Sequence, residues 1–324
     1  MKIAIFYKVH NGGEVMKKPT ALRAGDIIGI TAPSGFASEA TVLQAKAVLE
    51  AWGFGVVLGK SCFSKRGYLA GEDLIRAEDL NFMFQNSSIK GIICLRGGFG
   101  VTRILNYIDY EIIKDNPKLL VGFSDITALH IALNQKSNLI TLHGPMAVSI
   151  SRGLDSFTQE SLIKALTQPI AIGKLKNPEG IMIDTIVEGE ARGRIIGGNL
   201  TMICSTLGTS YEIDTKGKLL LIEEIGEEPY RIDRMLTQLL LAGKLQEAAG
   251  FLIGDFNGCS PKNIKESLTL QEIFREIINP LKKPTIANLK IGHCSPNITL
   301  PLGAEAYINA EEGLLTIKES ATRP

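Results

Sequence analysis

From Leu22 to Leu142 the chain alternates between short apolar runs and stretches with helical spacing, and that alternation leaves it few folds to adopt. Strand-like segments fall at 26–32, 55–58, 91–95, 119–123 and 139–142. Between them, 38–53 carries Val42, Ala45, Leu49 and Trp52 at helical spacing, and 72–85 and 99–109 read as further helices. Strands that alternate with helices build right-handed βαβ units, so the sequence predicts a parallel sheet covered by helices on both faces. A flavodoxin-like domain of about 150 residues is the expected result.

The second half has a different texture. Residues 167–193 are rich in Pro, Gly and charge and read as a linker and a domain edge. Beyond them lie strand runs at 218–222, 250–254 and 285–291, then a hairpin of 304–308 and 314–318 around Glu311-Glu-Gly313. Helical spacing over 230–241 puts Ile232, Met235, Leu236 and Leu239 on one face, and 270–278 is a second helix. The expected organisation is an extension at 1–18, a flavodoxin-like domain at 19–166, a linker at 167–190 and a β/α domain at 191–324. Residues 1–15 precede Met16-Lys-Lys-Pro19, where a compact domain could start, and read as an added segment or an edge strand.

Charge and cysteine usage remove several classes of function. With 35 basic and 34 acidic side chains, no global field draws the chain to nucleic acid or to a membrane surface. The five cysteines (Cys62, Cys94, Cys204, Cys259 and Cys294) form no C-x-x-C pair, which argues against zinc, a redox dithiol or a disulfide framework. Reduced thiols fit a cytosolic protein. No run approaches the length of a membrane helix, and the apolar start at 3–7 is too short for a secretory signal. The expectation is a cytoplasmic protein with no metal, no cofactor and a small-molecule partner.

Chemistry concentrates at Leu119-Leu-Val-Gly-Phe-Ser-Asp-Ile-Thr-Ala-Leu129. An apolar strand stops at Ser124 and restarts as a helix with Ile126, Leu129 and Leu133 on one face. Open parallel sheets do their chemistry at such carboxyl ends, and a helix terminus favours a developing oxyanion. Ser124 reads either as a helix cap or as a nucleophile. The Gly-x-Ser-x-Gly elbow is incomplete, since Ile126 stands where the second glycine would be. A serine nucleophile needs a base and an orienting anion. His143, just past a strand, and His293, in a loop, are the two candidate bases; His130 lies inside the helix and His10 in the N-terminal segment. Glu223 closes the apolar run 219–222 and reads as an orienting carboxylate or as a solvated strand-end acid. The turn Arg96-Gly-Gly-Phe-Gly100 matches neither G-x-G-x-x-G nor a P-loop. It could cradle an anion, supply an oxyanion-hole amide, or simply turn the chain.

These segments together resemble the serine LD-carboxypeptidases, the family that includes muramoyltetrapeptide carboxypeptidases and microcin C self-immunity peptidases. The matching stretches are Gly25-Asp-Ile-Ile-Gly-Ile-Thr-Ala-Pro-Ser34, Arg96–Gly100, Val121-Gly-Phe-Ser-Asp-Ile-Thr127 and His143-Gly-Pro145. They continue with Gly193-Arg-Ile-Ile-Gly-Gly-Asn-Leu200, Leu221-Ile-Glu-Glu224, Pro229-Tyr-Arg-Ile-Asp-Arg234, Gly292-His293 and Leu300-Pro-Leu-Gly303. They keep the family's order over roughly 19 to 318. The resemblance implies a flavodoxin-like domain followed by a swivelling β/α domain, and a triad of Ser124, Glu223 and His293. It implies an oxyanion hole from the amides of Gly98 (or Gly97) and Asp125. His143 becomes a residue in or just behind the substrate site, beside Arg96 and Gly97. It also implies a homodimer, and a reaction that removes the terminal D-alanine from murein tetrapeptides in peptidoglycan recycling.

Arg96 is a candidate for the substrate's terminal carboxylate; Arg231 and Arg234, three apart on one helix, are as well placed to tie that helix down. Three rival readings remain open to test. One keeps the triad and changes the substrate to an aminoacyl-nucleotide antibiotic, for which Trp52, on a core helix face, offers no adenine platform. Another is an α/β-hydrolase esterase, disfavoured by the missing second glycine. The last is a non-enzymatic anion-binding module built on Arg96–Gly100.

Overall fold

In the computed structural model, which describes residues 15–324, the apolar runs of the first half become β1 (Ile27–Thr31), β2 (Gly55–Leu58), β3 (Ile89–Cys94), β4 (Leu119–Gly122) and β5 (Thr141–His143). The second half supplies β6 (Gly173–Leu175), β7 (Asp184–Val187), β8 (Glu190–Asn199), β9 (Leu219–Ile225) and β10 (Gly250–Asn257). It ends with β11 (Thr285–Ala287), β12 (Leu300–Leu302), β13 (Glu305–Asn309) and β14 (Leu314–Ile317). In the first sheet β1 to β5 run parallel in the order β5-β4-β3-β1-β2, the flavodoxin-like arrangement. That order changes direction between β1 and β3, which opens a crevice at the carboxyl ends of the strands. Pro33–Gly35, Arg96–Gly100, Ser124 and His143 all follow or end those strands.

The second sheet runs β6-β14-β13-β8-β9-β10-β11-β7. Its four central strands, β8 to β11, are parallel, and antiparallel strands close both sides. Such a sheet buries its middle on both faces, and β9 shows it: Leu219 to Glu224 are all buried. The chain crosses back once more, because β12 pairs antiparallel with β5 at the edge of the first sheet.

Local signals account for the helices. Ser38 Oγ accepts the Thr41 amide at 3.2 Å and starts the helix Glu39–Ala51, whose Val42, Ala45 and Leu49 are buried. The helix Pro229–Leu241 opens on a proline, which has no amide to leave unpaired, and buries Ile232, Met235, Leu236 and Leu239 as the spacing predicts. The helix Thr127–Lys136 is different, since Thr127 to Asn134 are buried on every side. It sits between the two sheets and fastens them. Thr127 Oγ1 accepts the Asn199 amide (3.0 Å), and Gln135 bonds the backbone of Glu212 (3.0 Å) and Asp214 (2.7 Å).

Three expectations change. The added segment does not extend through residue 18: Met16 is buried and the Lys17 amide donates to the Asn138 carbonyl at 2.6 Å. Residues 1–14, His10 among them, lie outside the described residues. The linker at 167–190 contains β6 and β7, which form the two outer edges of the second sheet. Short exposed edge strands carry no apolar alternation, so composition alone reads them as loop. The helix expected over 99–109 is cut to Val101–Ile104 and a 3-10 turn Leu105–Tyr107, because Asp109 accepts the Ile112 amide (2.9 Å) and starts a new helix, Tyr110–Asp115.

Candidate active site

Ser124 stands at φ +64°, in the left-handed region that a serine occupies only at a cost of about 1–3 kcal/mol. Phe123 before it is fully extended, and a 3-10 turn Ser124–Ile126 leads straight into the helix Thr127–Lys136. The helix-cap reading fails here, since neither the turn nor the helix receives a side-chain cap. A strained corner without a capping bond holds a hydroxyl out at the end of β4, the geometry of a nucleophile elbow.

What holds the corner is the side chain of the next residue. Asp125 is buried, and its Oδ2 accepts Ser34 Oγ at 2.5 Å and the Val101 amide at 2.9 Å. One carboxylate thus ties the serine turn to the loop after β1 and to the turn after β3. Burial pushes the Asp125 carboxyl above its ordinary range, and the Ser34 and Val101 hydrogen bonds pull the other way. Arg76, with a fully buried side chain, braces the same two loops by donating to the carbonyls of Pro33 and Gly100, while Asp73 balances its charge.

The glycine turn is fitted against the serine. A Cβ on Gly97 would stand 2.8 Å from both Cβ and Oγ of Ser124, closer than carbon atoms pack. Gly98 has φ +128°, which glycine adopts freely and other residues do not. Gly97 is buried against the serine, and Gly98 is exposed, with its Cα side facing Gly35 and Ser34. Gly97→Ala should therefore push Ser124 from its position and lower kcat by about 100-fold, the cost expected for a displacement near 1 Å. Steady-state kinetics beside a circular-dichroism spectrum would separate this from unfolding.

From the second sheet, β9 delivers Glu223 with its side chain fully buried. Its Oε2 meets His293 Nδ1 at 2.7 Å. Burial by itself would raise the Glu223 carboxyl, but His143 and His293 beside it win and hold it down to about 2. The carboxylate is therefore ionised at any physiological pH. Gly292, at φ +116°, makes the pairing possible, since a Cβ there would lie 2.5 Å from Glu223 Oε2. Asn297 holds both the amide (3.4 Å) and the carbonyl (3.0 Å) of Gly292, and Asn257 holds the His293 carbonyl (2.6 Å). With Nδ1 engaged, the imidazole has Nε2 left for proton transfer, and its ring sits 4.8 Å from that of Phe123, the neighbour of Ser124.

The family resemblance groups Ser124, Glu223, His293, Gly97, Gly98 and Asp125 in one site; in the structure Gly97 packs against Ser124, Glu223 pairs with His293, and Phe123, next to Ser124, lies against the His293 ring. Of the two positions open to His143, in the substrate site or just behind it, the structure gives the second. His143 is fully buried and so does not touch substrate; its Nε2 stands 3.9 Å from Glu223 Oε1, behind the carboxylate. His130 is structural: its Nε2 bonds the Gly122 carbonyl at 2.8 Å, and burial pushes it down to about 3, which keeps the ring neutral. Glu224 points away from the cleft and takes the Asn199 side chain (2.8 Å) and the Thr201 amide (2.8 Å) at the start of the helix Leu200–Ser205. Arg231 pairs with Glu227, whereas Arg96, among the described residues, bonds the carbonyls of Gly97 (3.2 Å) and Phe36 (3.3 Å). Ser34, Arg76 and the Asp125 side chain were not picked out from sequence. Among the described residues no group of three or more His, Cys, Asp and Glu is placed to hold a metal ion, and no helix is long and apolar enough to cross a membrane.

Comparison with known proteins identifies the family. Residues 28–144 match the family model of the LD-carboxypeptidase N-terminal domain, and 192–308 match that of the C-terminal domain. A Bacillus subtilis protein described as a probable murein peptide carboxypeptidase is 43% identical over 303 residues, covering 93% of this chain and 94% of its own. The solved muramoyltetrapeptide carboxypeptidase of Oxalobacter formigenes is 28% identical with a TM-score of 0.80, covering 92% of this chain and all (100%) of that one. The microcin C7 self-immunity protein MccF, known from Escherichia coli, superimposes with a TM-score of 0.87 at 25% identity, over 94% of this chain and 99% of its own. Two matched domains in the right order, on a fold shared with solved members, make this chain a member of the LD-carboxypeptidase family and a serine-type carboxypeptidase.

Proposed function

We propose that the protein removes the terminal D-alanine from murein tetrapeptides in cytoplasmic peptidoglycan recycling, with Ser124, His293 and Glu223 as its triad. The observation that carries this reading is the 2.7 Å bond between His293 Nδ1 and the buried Glu223, with the His293 ring against Phe123, the neighbour of a serine held at φ +64°. His293 Nε2 takes the proton of Ser124 Oγ as the oxygen attacks the carbonyl of the L-to-D peptide bond. The amides of Gly98 and Asp125 receive the oxyanion, and Glu223 stabilises the imidazolium. His293 then gives its proton to the leaving amine of the D-amino acid, and water attacks the acyl-enzyme to restore Ser124. No step in this cycle calls on a metal or cofactor. Arg96, whose guanidinium bonds two carbonyls among the described residues, meets the terminal carboxylate of the peptide. The homodimer implied by the family resemblance belongs to the same reading, and sedimentation of the full chain checks it.

The test is mass spectrometry of murein tetrapeptide incubated with the protein. Stoichiometric release of D-alanine with a tripeptide product is the expected outcome; an intact tetrapeptide overturns the reading. One observation favours a second substrate. Tyr68 and Phe99 are exposed and meet at a tilt of 57° with ring centres 5.9 Å apart, Phe99 directly following Gly98. An exposed aromatic pair next to the glycine turn suits a nucleobase. Trp52 does not, because it ends the helix Glu39–Ala51 and lies about 20 Å along that helix from the end near the crevice. Cleavage of an aminoacyl-sulfamoyl adenosine in place of the tetrapeptide would establish the second reading.

A further inference from the structure

The triad reading uses one oxygen of Glu223 and leaves the other unexplained. Oε1 is buried and has no hydrogen-bond partner, and the same is true of both ring nitrogens of His143. A buried polar group without a partner costs about 1–3 kcal/mol, and here the orphans face each other, with His143 Nε2 3.9 Å from Oε1. A shift of about 1 Å turns that gap into an ordinary hydrogen bond.

The surroundings aim the ring at the carboxylate. His143 ends β5, directly opposite Gly122 of β4 and Leu300 of β12, neither of which offers a side-chain partner. Phe123 covers its face, with ring centres 5.7 Å apart. Gly198, at φ +134°, lets β8 come so close that a Cβ would lie 3.4 Å from His143 Cδ2. The titratable groups facing the ring are Glu223 on β9, His293 across the carboxylate, and His130 on the helix Thr127–Lys136 at 6.4 Å between ring centres. His130 is neutral, so Glu223 is the charge that the ring answers to.

We propose that His143 is a positioning residue for the hydrolysis: its Nε2–H binds Oε1 of Glu223, and the carboxylate is gripped between two imidazoles. His293 orients on one oxygen and His143 fixes the other, so Glu223 cannot rotate away from His293 during turnover. The assignment also sets the tautomer of His143, with the proton on Nε2. It rests on the triad reading, and its effect on turnover is exerted through Glu223 alone.

Loss of this donor has two consequences with a definite sign. The carboxylate gains freedom, so fewer enzyme molecules hold His293 in the productive orientation, and kcat falls. The carboxylate also keeps more of its negative charge, so the His293–Glu223 pair binds a proton more readily and the acid limb of kcat/KM moves to higher pH.

The experiment compares His143→Leu and His143→Gln across pH 5 to 9, with histidine NMR on the unmodified protein. His143→Leu should lower kcat by about 10- to 100-fold, leave KM within about twofold and shift the acid limb upward. His143→Gln puts an amide donor where Nε2 stood and should recover most of the rate and the original limb. In the unmodified protein the His143 ring proton should sit on Nε2, and its resonance should move when Glu223 becomes Gln. An unshifted acid limb in the Leu variant, equal damage from Leu and Gln, or a proton found on Nδ1 would each overturn the proposal. If the Leu variant does not fold, the tautomer decides. Failure of the triad reading shows elsewhere, in a Ser124→Ala protein that still turns over, whereas the tautomer is read without any turnover.

Discussion

Ser124→Ala should lower kcat by about 10⁴- to 10⁶-fold while leaving the fold untouched, the scale on which serine hydrolases lose rate when the nucleophile is removed. The physical reason for a clean result lies in the backbone. The serine hydroxyl caps nothing, so alanine at the same φ of +64° carries the same strain and breaks no structural bond. Asp125 continues to hold the corner through Ser34 and Val101, and the amides of Gly98 and Asp125 proposed for the oxyanion stay where they are. Binding of the tetrapeptide should therefore persist, measurable by calorimetry, while D-alanine release disappears. A serine-directed phosphonate should label the unmodified protein once and the variant not at all. His293→Ala should be nearly as severe, and the double variant little worse than either, because groups that act as one unit lose their effect together. A Ser124→Ala protein with a tenth of the original rate would remove the serine from the chemistry.

The inner strands of the first sheet were legible because they are largely buried on both faces and read as apolar runs with turn residues at their ends. Leu119–Val121 is the clearest case, and Gly122 beside it marks the corner. β8 was not legible for the opposite reason. Its Gly193, Gly197 and Gly198 give no apolar period, yet close packing requires them: a Cβ on Gly197 would stand 2.2 Å from the Leu221 carbonyl. β6 and β7 hid in a Pro- and Gly-rich stretch because edge strands need no apolar face. For the site, each member was visible as a residue at a strand end or in a glycine-marked loop. Their convergence was not, since Ser124, Glu223 and His293 come from two sheets and nothing local couples 124 to 223 or 293. Family resemblance supplied the link that pattern could not. The Asp125 side chain escaped for a different reason. Its neighbours Ser34 and Val101 lie 91 and 24 residues away, so a residue whose amide was singled out also proves to be the clamp of the whole corner. The burial of His143 escaped as well, because β12 covers β5 only after the chain has crossed both sheets.

Glu223→Gln should be the most informative of the larger losses, lowering kcat by about 10³- to 10⁴-fold with little change in shape. The amide keeps the volume but can present its N–H to His293 Nδ1, which then carries no proton there. The ring is driven toward the tautomer with its proton on Nε2, the nitrogen that must accept one from Ser124. The same substitution has a signature in stability. In the folded protein the Glu223 carboxyl lies at about 2, below its ordinary 4.5, since the two histidines outweigh the burial that would raise it. A depressed carboxyl contributes stability that is complete above its unfolded value and is lost as pH falls from about 4.5 toward 2. The glutamine has no such titration. The gap in unfolding free energy between the two proteins should thus be widest at neutral pH and close as pH drops through that window, which urea melts at pH 7, 5 and 3 would measure. The activity profile should behave differently. Glu223 stays ionised throughout the working range, so the acid limb of kcat/KM in the unmodified enzyme should not report this carboxylate. If urea melts gave a gap independent of pH while activity was lost, Glu223 would not be an anion held by its histidines. The 2.7 Å contact with His293 would then be an ordinary neutral hydrogen bond, and the imidazolium of the transition state would lack its counter-charge.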